Sequence, residues 1–370
     1  MTVRRLLVSG PPLAGERSGP GVHLTELLRA LVAERPELAV ALRHNSARHP
    51  EIGPASAAAV HPSVRARTTR IPERAVRGLQ ASVGFPSERV LGGAYDVFHQ
   101  FHTDADPAVP SRKLVVNLHD VVARRWPAEE GAMYVGAGSL LRRAAAVTTG
   151  SAASRDAICE AFGVPEERVH VTLYGVRAER FAEVSDAPVP DGPYLLHIGG
   201  HTPRKNLPRL IEAFAAVRTT PGFADLRLVL AGPSIRAEAD LRRTAPTGLP
   251  SDALIFTGYV SDAEAVALYQ RAAAFVFPSL AEGFGLPVLE AMAAGCPVVA
   301  SSATSLPEVG GSIARYIDPE SVASIADGIV DVLGMDTAAH AATVAAGRSH
   351  AATFTWERCA RQTLAVYDGL

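Results

Sequence analysis

Two glutamates, Glu282 and Glu290, flank a glycine-rich turn in the second half of the chain. Pro287 lies between them and suits the first turn of a helix, while Gly295 suits its C-terminal cap. The glycines before this helix leave backbone N–H groups open, which makes a natural site for phosphate. Carboxylates repel phosphate, so we interpret the pair as groups that accept hydrogen bonds from sugar and ribose hydroxyls. The alternative is a glycine-rich turn with solvated glutamates.

Two cations, Arg204 and Lys205, follow a predicted strand that ends in Gly199 and Gly200. Apolar residues at helical spacing begin at Leu207, so the pair precedes a predicted helix. Open α/β sheets bind ligands at the carboxyl ends of their strands, and cations there could neutralise a diphosphate without a metal. A solvated basic turn is the alternative interpretation.

The first half of the chain offers weaker candidates. Gly19-Pro20-Gly21 follows the first predicted strand and could seat a phosphate, but it does not match G-x-G-x-x-G, and a plain turn is the alternative. His119 comes directly after an apolar run and could act on a sugar hydroxyl. A histidine with a purely structural role is the alternative there.

Short apolar runs alternate with amphipathic segments, which predicts parallel sheets covered on both faces by helices. The runs that predict strands are residues 6–8, 114–118, 146–148, 169–171, 194–198, 226–230, 254–256, 274–277 and 297–300. Residues 183–193 are rich in proline and small polar residues, which favours a domain boundary. We therefore predict a doubly wound α/β fold with two Rossmann-like domains facing a central cleft.

The chain is nearly neutral, because its 370 residues include 36 basic and 38 acidic side chains for a net charge of −2. This balance argues against a protein that binds nucleic acid through bulk charge. The charge is uneven, since residues 1–185 carry +4 and residues 186–370 carry −6. Only Lys113 and Lys205 are lysines, which draws attention to any motif that keeps one.

Three cysteines, Cys159, Cys296 and Cys359, lie far apart without a C-x-x-C spacing. We therefore expect neither a disulfide framework nor a zinc site. The N-terminal apolar run is too short for a signal peptide, and no stretch approaches the ~20 apolar residues of a membrane span. These features favour a cytoplasmic protein.

Together, these segments resemble the retaining GT-B glycosyltransferases of family 4. Glu282 and Glu290 form the E-x7-E motif of that family, within the sequence Glu-Gly-Phe-Gly-Leu-Pro-Val-Leu-Glu-Ala-Met-Ala-Ala-Gly-Cys-Pro-Val-Val-Ala. Residues 202–206 resemble its donor-phosphate segment, and residues 230–233 and 256–261 resemble its nucleotide-side strand ends. The resemblance is most specific in this second half of the chain.

The first half carries shorter likenesses to the same family. His119-Asp120 with Pro127 resembles the His-Asp segment of mannosyltransferase-like members, and residues 151–154 and 174–176 fall where the family has short signatures. The domains that the resemblance implies are an N-terminal acceptor-side domain (1–185), a C-terminal nucleotide-sugar-binding domain (186–350), and a C-terminal helix (351–370) that returns towards the N-terminal domain.

The resemblance also implies a role for each site residue. Glu282 would contact the transferred sugar, and Glu290 would hold the ribose hydroxyls. Arg204 and Lys205 would stabilise the diphosphate leaving group, and His119 would contact the sugar near the acceptor. The remaining donor-binding residues, which would approach the sugar, the phosphates or the base, are Gly21, Gly200, Gly232, Tyr259, Val260, Gly283, Phe284, Gly285 and Leu286.

The implied activity is the metal-independent transfer of a hexose from a nucleotide diphosphate sugar to a hydroxyl of a glycan, a lipid-linked molecule or a small molecule, with retention at the anomeric carbon. The His-Asp segment alone points to GDP-mannose as the first donor to test, with UDP- and dTDP-sugars open. No cofactor is expected. Many family members have an arginine at the position of Gly200, so the basic pair must carry more of the phosphate charge here. The alternatives are a sugar-nucleotide epimerase of the same fold and a non-catalytic nucleotide-sugar-binding protein.

Arginines also cluster in the first half of the chain. The members of this cluster are Arg65, Arg67, Arg70, Arg74 and Arg77. They could attract anionic lipid at the inner face of a membrane, which would suit a lipid-linked acceptor. A solvated basic face is the alternative, because few large apolar residues accompany them.

Overall fold

The structure, a computed structural model, describes residues 2–10, 13, 19–45, 51–69, 94–101, 109–121, 137–233 and 235–370 of the chain. The chain forms two units. The first comprises Met1–Gly175 and Trp356–Leu370, and the second comprises Val176–Thr355. The residues discussed above that lie outside the described ranges are Arg70, Arg74, Arg77 and Pro127.

The first unit is built on a parallel sheet whose seven described strands run in the order β3-β2-β1-β4-β5-β6-β7. These strands are β1 (Arg5–Ser9), β2 (Ala39–Asn45), β3 (Arg65–Thr69), β4 (Val97–Gln100), β5 (Leu114–Asn117), β6 (Ala146–Thr149) and β7 (Val169–Val171). The helices described between them are α1 (Gly19–Glu34), α2 (Ile52–Val60), α3 (Ala137–Arg143) and α4 (Ala152–Phe162). Apolar strand residues such as Phe98 and Val116 pack with Leu141 of α3 and Ile158 of α4 in one buried cluster.

The second unit contains another parallel sheet, with the order β10-β9-β8-β11-β12-β13. Its strands are β8 (Tyr194–Ile198), β9 (Arg227–Ala231), β10 (Leu254–Gly258), β11 (Ala274–Phe277), β12 (Val298–Ser301) and β13 (Arg315–Ile317). Its helices are α5 (Ala178–Ala182), α6 (Leu207–Val217), α7 (Ile235–Thr244), α8 (Asp262–Arg271), α9 (Leu286–Ala294), α10 (Leu306–Gly310), α11 (Val322–Leu333) and α12 (Thr337–Ala351). Leu195 and Leu228 of the sheet pack with Phe214 of α6 and Ile329 of α11.

Each sheet reverses its strand order once, between β1 and β4 in the first unit and between β8 and β11 in the second. The predicted doubly wound α/β fold is therefore confirmed. Ligands of such sheets bind outside the carboxyl ends of the strands, at the point where the order reverses. The loops that follow β8 and β11 flank this point in the second unit. The central cleft between the domains stays a prediction.

The apolar runs did not predict β2, β3, β4 or β13. Of these, β3 and β13 lie at the edges of their sheets as described, and they carry the exposed residues Arg65, Arg67 and Arg315. In contrast, β4 is buried along its whole length although His99 and Gln100 are polar. His99 is satisfied there by Tyr367 and Thr148, so a hydrogen-bonded polar strand escapes a search for apolar runs.

The second unit begins at Val176, before the boundary segment 183–193 that composition predicts and ten residues before the predicted domain start at residue 186. The cause is packing by α5, whose Phe181 is buried with its ring centroid 6.0 Å from that of Tyr269 on α8. The Gln270 side chain donates hydrogen bonds to the carbonyls of Phe181 and Glu183. Proline-rich composition therefore coincides with a segment that adheres to the second unit.

The C-terminal helix α13 (Trp356–Asp368) belongs to the first unit, as predicted, and packs against α1. Asp368 forms an ion pair with Arg35 at 2.6 Å and accepts a hydrogen bond from the backbone of Val3. Tyr367 is fully buried and its hydroxyl lies 2.6 Å from Nδ1 of His99. The returning helix starts at Trp356, because residues 337–351 form α12 of the second unit.

Glycines join the carboxyl ends of three neighbouring strands in the second unit. The Gly199 N–H donates to the carbonyl of Ala231, and the Gly232 N–H donates to the carbonyl of Gly258. Gly232 has a φ of 142°, and a Cβ there would lie 2.0 Å from the carbonyl oxygen of Gly199. The backbones approach so closely that only glycine fits at this position.

We expect Gly232→Ala to lower the free energy of unfolding by about 2 kcal/mol or more, because the methyl group must displace backbone atoms. Gly200→Ala is the matched control, since a Cβ at Gly200 would meet nothing within 4 Å. Urea unfolding of the two variants, followed by circular dichroism, measures the difference. Equal stability of both variants would contradict the close approach of β8 and β9.

Candidate active site

Arg204, Lys205 and Glu282 form an ion cluster where the strand order reverses. The cations lie in a 3-10 turn (Pro203–Lys205) after β8, and Glu282 lies in the loop after β11. Lys205 Nζ donates to Glu282 Oε1 at 2.6 Å, and Arg204 Nη1 donates to Oε2 at 2.9 Å. Lys205 and Glu282 are 7% and 8% exposed. The structure thus brings together three of the four residues for which the sequence predicts catalytic roles.

The two loops of the ion cluster are also tied through their backbones. The Leu280 N–H donates to the carbonyl of Arg204 at 2.8 Å. The buried side-chain amide of Asn206 donates from Nδ2 to the backbone carbonyls of Pro278 and Pro319. The relative position of the cations and the carboxylate is therefore fixed by main-chain bonds as well as by charge.

Glu282 is ionised across the physiological pH range. Burial opposes ionisation of the carboxyl, but Lys205 and Arg204 outweigh that effect and hold its pKa at about 2. Lys205 also lies over the aromatic face of Phe277, with Nζ 4.5 Å from the ring centroid. Two cations thus lie at the carboxyl ends of the strands, where their positive charge favours an anionic ligand.

The loop of Glu282 leads directly into α9, as the sequence predicts. Gly285 is the N-cap in a left-handed conformation, Pro287 lies in the first turn, and Gly295 is the C-cap. A Cβ at Gly285 would lie 2.6 Å from the side chain of Leu306. Gly283, Phe284 and Gly285 are buried, whereas Leu286 is partly exposed.

Glu290 lies one turn into α9 and has partners of its own. Its Oε2 accepts a hydrogen bond from the hydroxyl of Tyr269 on α8 at 3.1 Å. Burial raises the pKa of Glu290, while the charge of Arg180 on α5 acts in the opposite direction. The contacts described for Glu290 are thus with α5 and α8, and the structure does not bring it into the ion cluster.

Four of the predicted donor-binding residues lie at or just beyond the carboxyl ends of neighbouring strands. Gly200 follows β8, Gly232 follows β9, and Tyr259 and Val260 follow β10. Tyr259 is 49% exposed, so a large aromatic face is open to solvent there. These positions share an edge of the sheet with the ion cluster.

In the first unit, His119 is partly buried and lies beside the buried rings of Tyr174 and His23. Its Nδ1 lies 2.9 Å from the hydroxyl of Tyr174, and its Nε2 has no hydrogen-bond partner in the described part of the chain. Burial lowers the pKa of His119 to about 4, so the ring is neutral at pH 7. His23 stacks on Tyr174 with ring centroids 3.9 Å apart.

The glycines near the N-terminus are placed differently from the plain turn that the sequence left open. Helix α1 begins at Gly19, so Gly19, Pro20 and Gly21 form its first residues, and Gly21 is buried. The alternative of a plain turn is therefore wrong. The phosphate role of Gly21 stays a prediction.

Sequence reasoning missed three residues beside these sites. Thr304 and Ser305 bond the loop of Glu282, and His23 packs on Tyr174. The only signal for the first two is a run of small polar residues after β12. His23 reads as a polar interruption in the apolar face of α1, which a pattern search assigns to solvent.

Two family models match the chain. One, described as Glycosyltransferase Family 4, matches residues 17–180, and the other, described as Glycosyl transferases group 1, matches residues 192–335. Together they account for most of the chain.

The chain belongs to the family 4 GT-B glycosyltransferases.

Relatives of this glycosyltransferase include the O-antigen chain mannosyltransferase B of Escherichia coli, which is 39% identical over 176 residues, covering 47% of this chain and 45% of that protein. The MMP alpha-(1->4)-mannosyltransferase of Mycolicibacterium hassiacum is 34% identical over 233 residues, covering 60% and 53%. The matches thus span about half the length of these two relatives. Among solved structures, Anabaena Alr3699/HepE in complex with UDP-glucose has a TM-score of 0.74 at 19% identity and covers 99% of this chain and 100% of that one. That likeness shows the GT-B fold.

The ion cluster of this glycosyltransferase predicts how its stability depends on pH. The pKa of Glu282 is lowered from 4.5 to about 2. The contribution of its ionised carboxylate to the free energy of unfolding is therefore fully present above pH 4.5 and is lost as the pH falls towards 2. Glu282→Gln should lower the free energy of unfolding by about 3 kcal/mol at pH 7, because it removes the carboxylate that is paired with the buried Lys205.

The cost of Glu282→Gln should shrink as the pH falls from 4.5 to 2, as measured by thermal unfolding across that range. Asp331→Asn is the control, because it breaks an exposed ion pair with Arg315 and should change stability little. A cost that stays constant down to pH 2 would contradict an ionised Glu282.

Proposed function

We propose that this glycosyltransferase transfers a hexose from a nucleotide diphosphate sugar to an acceptor hydroxyl, with retention at the anomeric carbon and without a metal ion. The observation that carries the proposal is the buried cluster of Arg204, Lys205 and Glu282 where the strand order reverses. Cleavage of the glycosidic bond builds negative charge on the diphosphate. Cations already fixed in a water-poor site stabilise such charge without reorganising.

Glu282 serves two purposes in this proposal. Its oxygens hold the two cations in place, and each oxygen keeps a lone pair that can accept a hydrogen bond from a sugar hydroxyl. Because its pKa is about 2, the carboxylate remains an acceptor throughout turnover. The backbone N–H groups of Gly283 and Gly285 at the start of α9 would add to phosphate binding.

His119 would contact the transferred sugar near the acceptor as a neutral ring. Its Nδ1 is engaged by the Tyr174 hydroxyl, and its Nε2 is the nitrogen left for a ligand. A pKa of about 4 keeps the ring uncharged at pH 7, which suits a hydrogen bond to a hydroxyl rather than an ion pair. Glu290, by contrast, would bind the ribose hydroxyls from α9.

GDP-mannose is the donor that we test first. The relatives named above are mannosyltransferases by name, and this supports mannose. The solved structure of the same fold holds UDP-glucose, so UDP-sugars form the second arm of the test. The acceptor would be a hydroxyl of a glycan, a lipid-linked molecule or a small molecule.

Thermal-shift measurements with GDP-mannose, UDP-glucose and dTDP-glucose should show stabilisation by one donor, and turnover with that donor should follow. Lys205→Ala and Glu282→Ala should each lower kcat roughly 100-fold or more. The first removes a cation that stabilises the leaving diphosphate, and the second removes the carboxylate that holds both cations in place. Lys113→Ala is the matched control, since the ammonium group of this other lysine lies in the first unit, where it donates to the Tyr95 carbonyl and lies over the Tyr95 ring.

Nuclear magnetic resonance of the product reads the anomeric configuration, and turnover in EDTA reads metal dependence. The chelator arm is needed because Asp104-Ala105-Asp106 lies outside the described residues and carboxylates so spaced can hold a divalent cation. Donor binding without turnover would favour the non-catalytic alternative. Conversion of the sugar nucleotide in the absence of an acceptor would favour the epimerase.

A peripheral contact with anionic lipid would involve Arg65 and Arg67, which are exposed on β3. In the described ranges, no helix is long and apolar enough to cross a membrane. A cytoplasmic protein with such a contact should sediment with vesicles that contain phosphatidylglycerol and not with phosphatidylcholine alone.

Replacing both arginines, Arg65→Ala with Arg67→Ala, should weaken that sedimentation. Arg315→Ala, at another exposed edge strand, is the control. Sedimentation that is independent of anionic lipid would refute the contact.

A further inference from the structure

Thr304 has a backbone conformation that its residue type avoids. Its φ of 52° lies in the left-handed region, where a β-branched side chain is strained. Among the described non-glycine residues, Asn206 alone shares a positive φ, and asparagine tolerates it. Buried bonds of the Asn206 amide explain its conformation. The side chain of Thr304 is exposed, so burial of that side chain does not explain the backbone conformation of Thr304.

The hydroxyl of Thr304 has one specific partner in the loop of the ion cluster. Its Oγ1 accepts a hydrogen bond from the backbone N–H of Glu282 at 2.9 Å. A glycine would adopt this φ without strain but would leave that N–H without its acceptor. The strained residue is therefore the one that can supply the bond.

The next residue extends the same support. The hydroxyl of Ser305, which is fully buried, lies 2.9 Å from the carbonyl oxygen of Glu282 and 2.8 Å from that of Phe284. Leu306 then packs where a Cβ of Gly285 would be. Three consecutive residues of the loop after β12, residues 304–306, thus contact the backbone of the loop that carries Glu282.

We propose that Thr304 is a positioning residue for transfer, whose hydroxyl holds the backbone of Glu282 so that the carboxylate stays between Arg204 and Lys205. This inference rests on the proposed function. Strain retained at an exposed position beside a reactive site is the pattern expected when geometry is maintained for function. The contact of Glu282 with Arg204 and Lys205 depends on distances below 3 Å, so a small shift of its backbone alters both.

Three substitutions separate the hydroxyl from the strain. Thr304→Ser keeps the oxygen, Thr304→Val keeps the branched shape without the acceptor, and Thr304→Gly removes both oxygen and strain. We expect kcat to fall about tenfold or more in the valine and glycine variants, because misplacement of a reacting group lowers the rate steeply. The KM for the donor should change less than kcat, and serine should restore kcat to within about threefold of the original value.

Comparing thermal stability with kcat distinguishes a positioning role of Thr304 from a purely structural one, because a structural role would lower both together. Thr304→Gly should unfold at the same or a higher temperature than the unchanged protein while turning over more slowly. Ser302→Ala, at an exposed neighbour in the same loop, is the control and should leave kcat unchanged. Full activity of both the valine and glycine variants would overturn the positioning role while leaving the proposed function intact.

Hydrogen exchange of the Glu282 amide tests the bond without any turnover. The amide should be protected in the unchanged protein and in Thr304→Ser, and it should exchange faster in Thr304→Val. Equal protection in the valine variant overturns the proposal whatever the activity. Lack of turnover by the unchanged protein with every donor is instead a failure of the proposed function, and the exchange result then decides the role of Thr304 in holding Glu282.

Discussion

The buried ion cluster of Glu282 with Arg204 and Lys205 is the interaction on which the rest of the site depends. A lone buried charge is strongly unfavourable, so the buried Lys205 and Glu282 stabilise each other, and the partly buried Arg204 adds a second bond to the carboxylate. Each carboxylate oxygen holds one cation. A cation that is largely removed from water acts on a bound anion more strongly than a solvated cation would. The cluster is therefore both a structural bond and an anion site.

Such a cluster must be held at distances below 3 Å, and the surrounding backbone supplies that precision. The loops after β8 and β11 are joined by the hydrogen bond from Leu280 to Arg204, and the loop after β12 bonds Glu282 from Thr304 and Ser305. Unusual φ angles occur where these loops meet, at Gly285 and Thr304. The strands fix the positions at which the loops begin, and the contacts between the loops fix the positions of the side chains that the loops carry.

The sequence predicted much of this arrangement, because the periodicity of apolar residues places Arg204 and Glu282 after strands, and glycine and proline mark the ends of α9. It also predicted functional roles for the basic pair and for the carboxylate. It did not show that they bond each other, since Lys205 and Glu282 are 77 positions apart and only the strand order makes them neighbours. The sequence did not draw attention to Thr304, because the residue type threonine does not reveal that its backbone has a positive φ angle.

The net charge of each half of the chain conceals the charge state of its buried groups. The second half of the chain carries −6, yet it holds the fixed cations, because their effect depends on burial beside one carboxylate rather than on the total. The first half is net positive, yet burial lowers the pKa of His119 to about 4 and that of His99 to about 3, so its buried rings are neutral. Fixed charge suits a diphosphate and neutral hydrogen-bonding rings suit hydroxyls. Because burial decides which groups keep their charge, the chemistry of each unit follows from its local packing rather than from its composition.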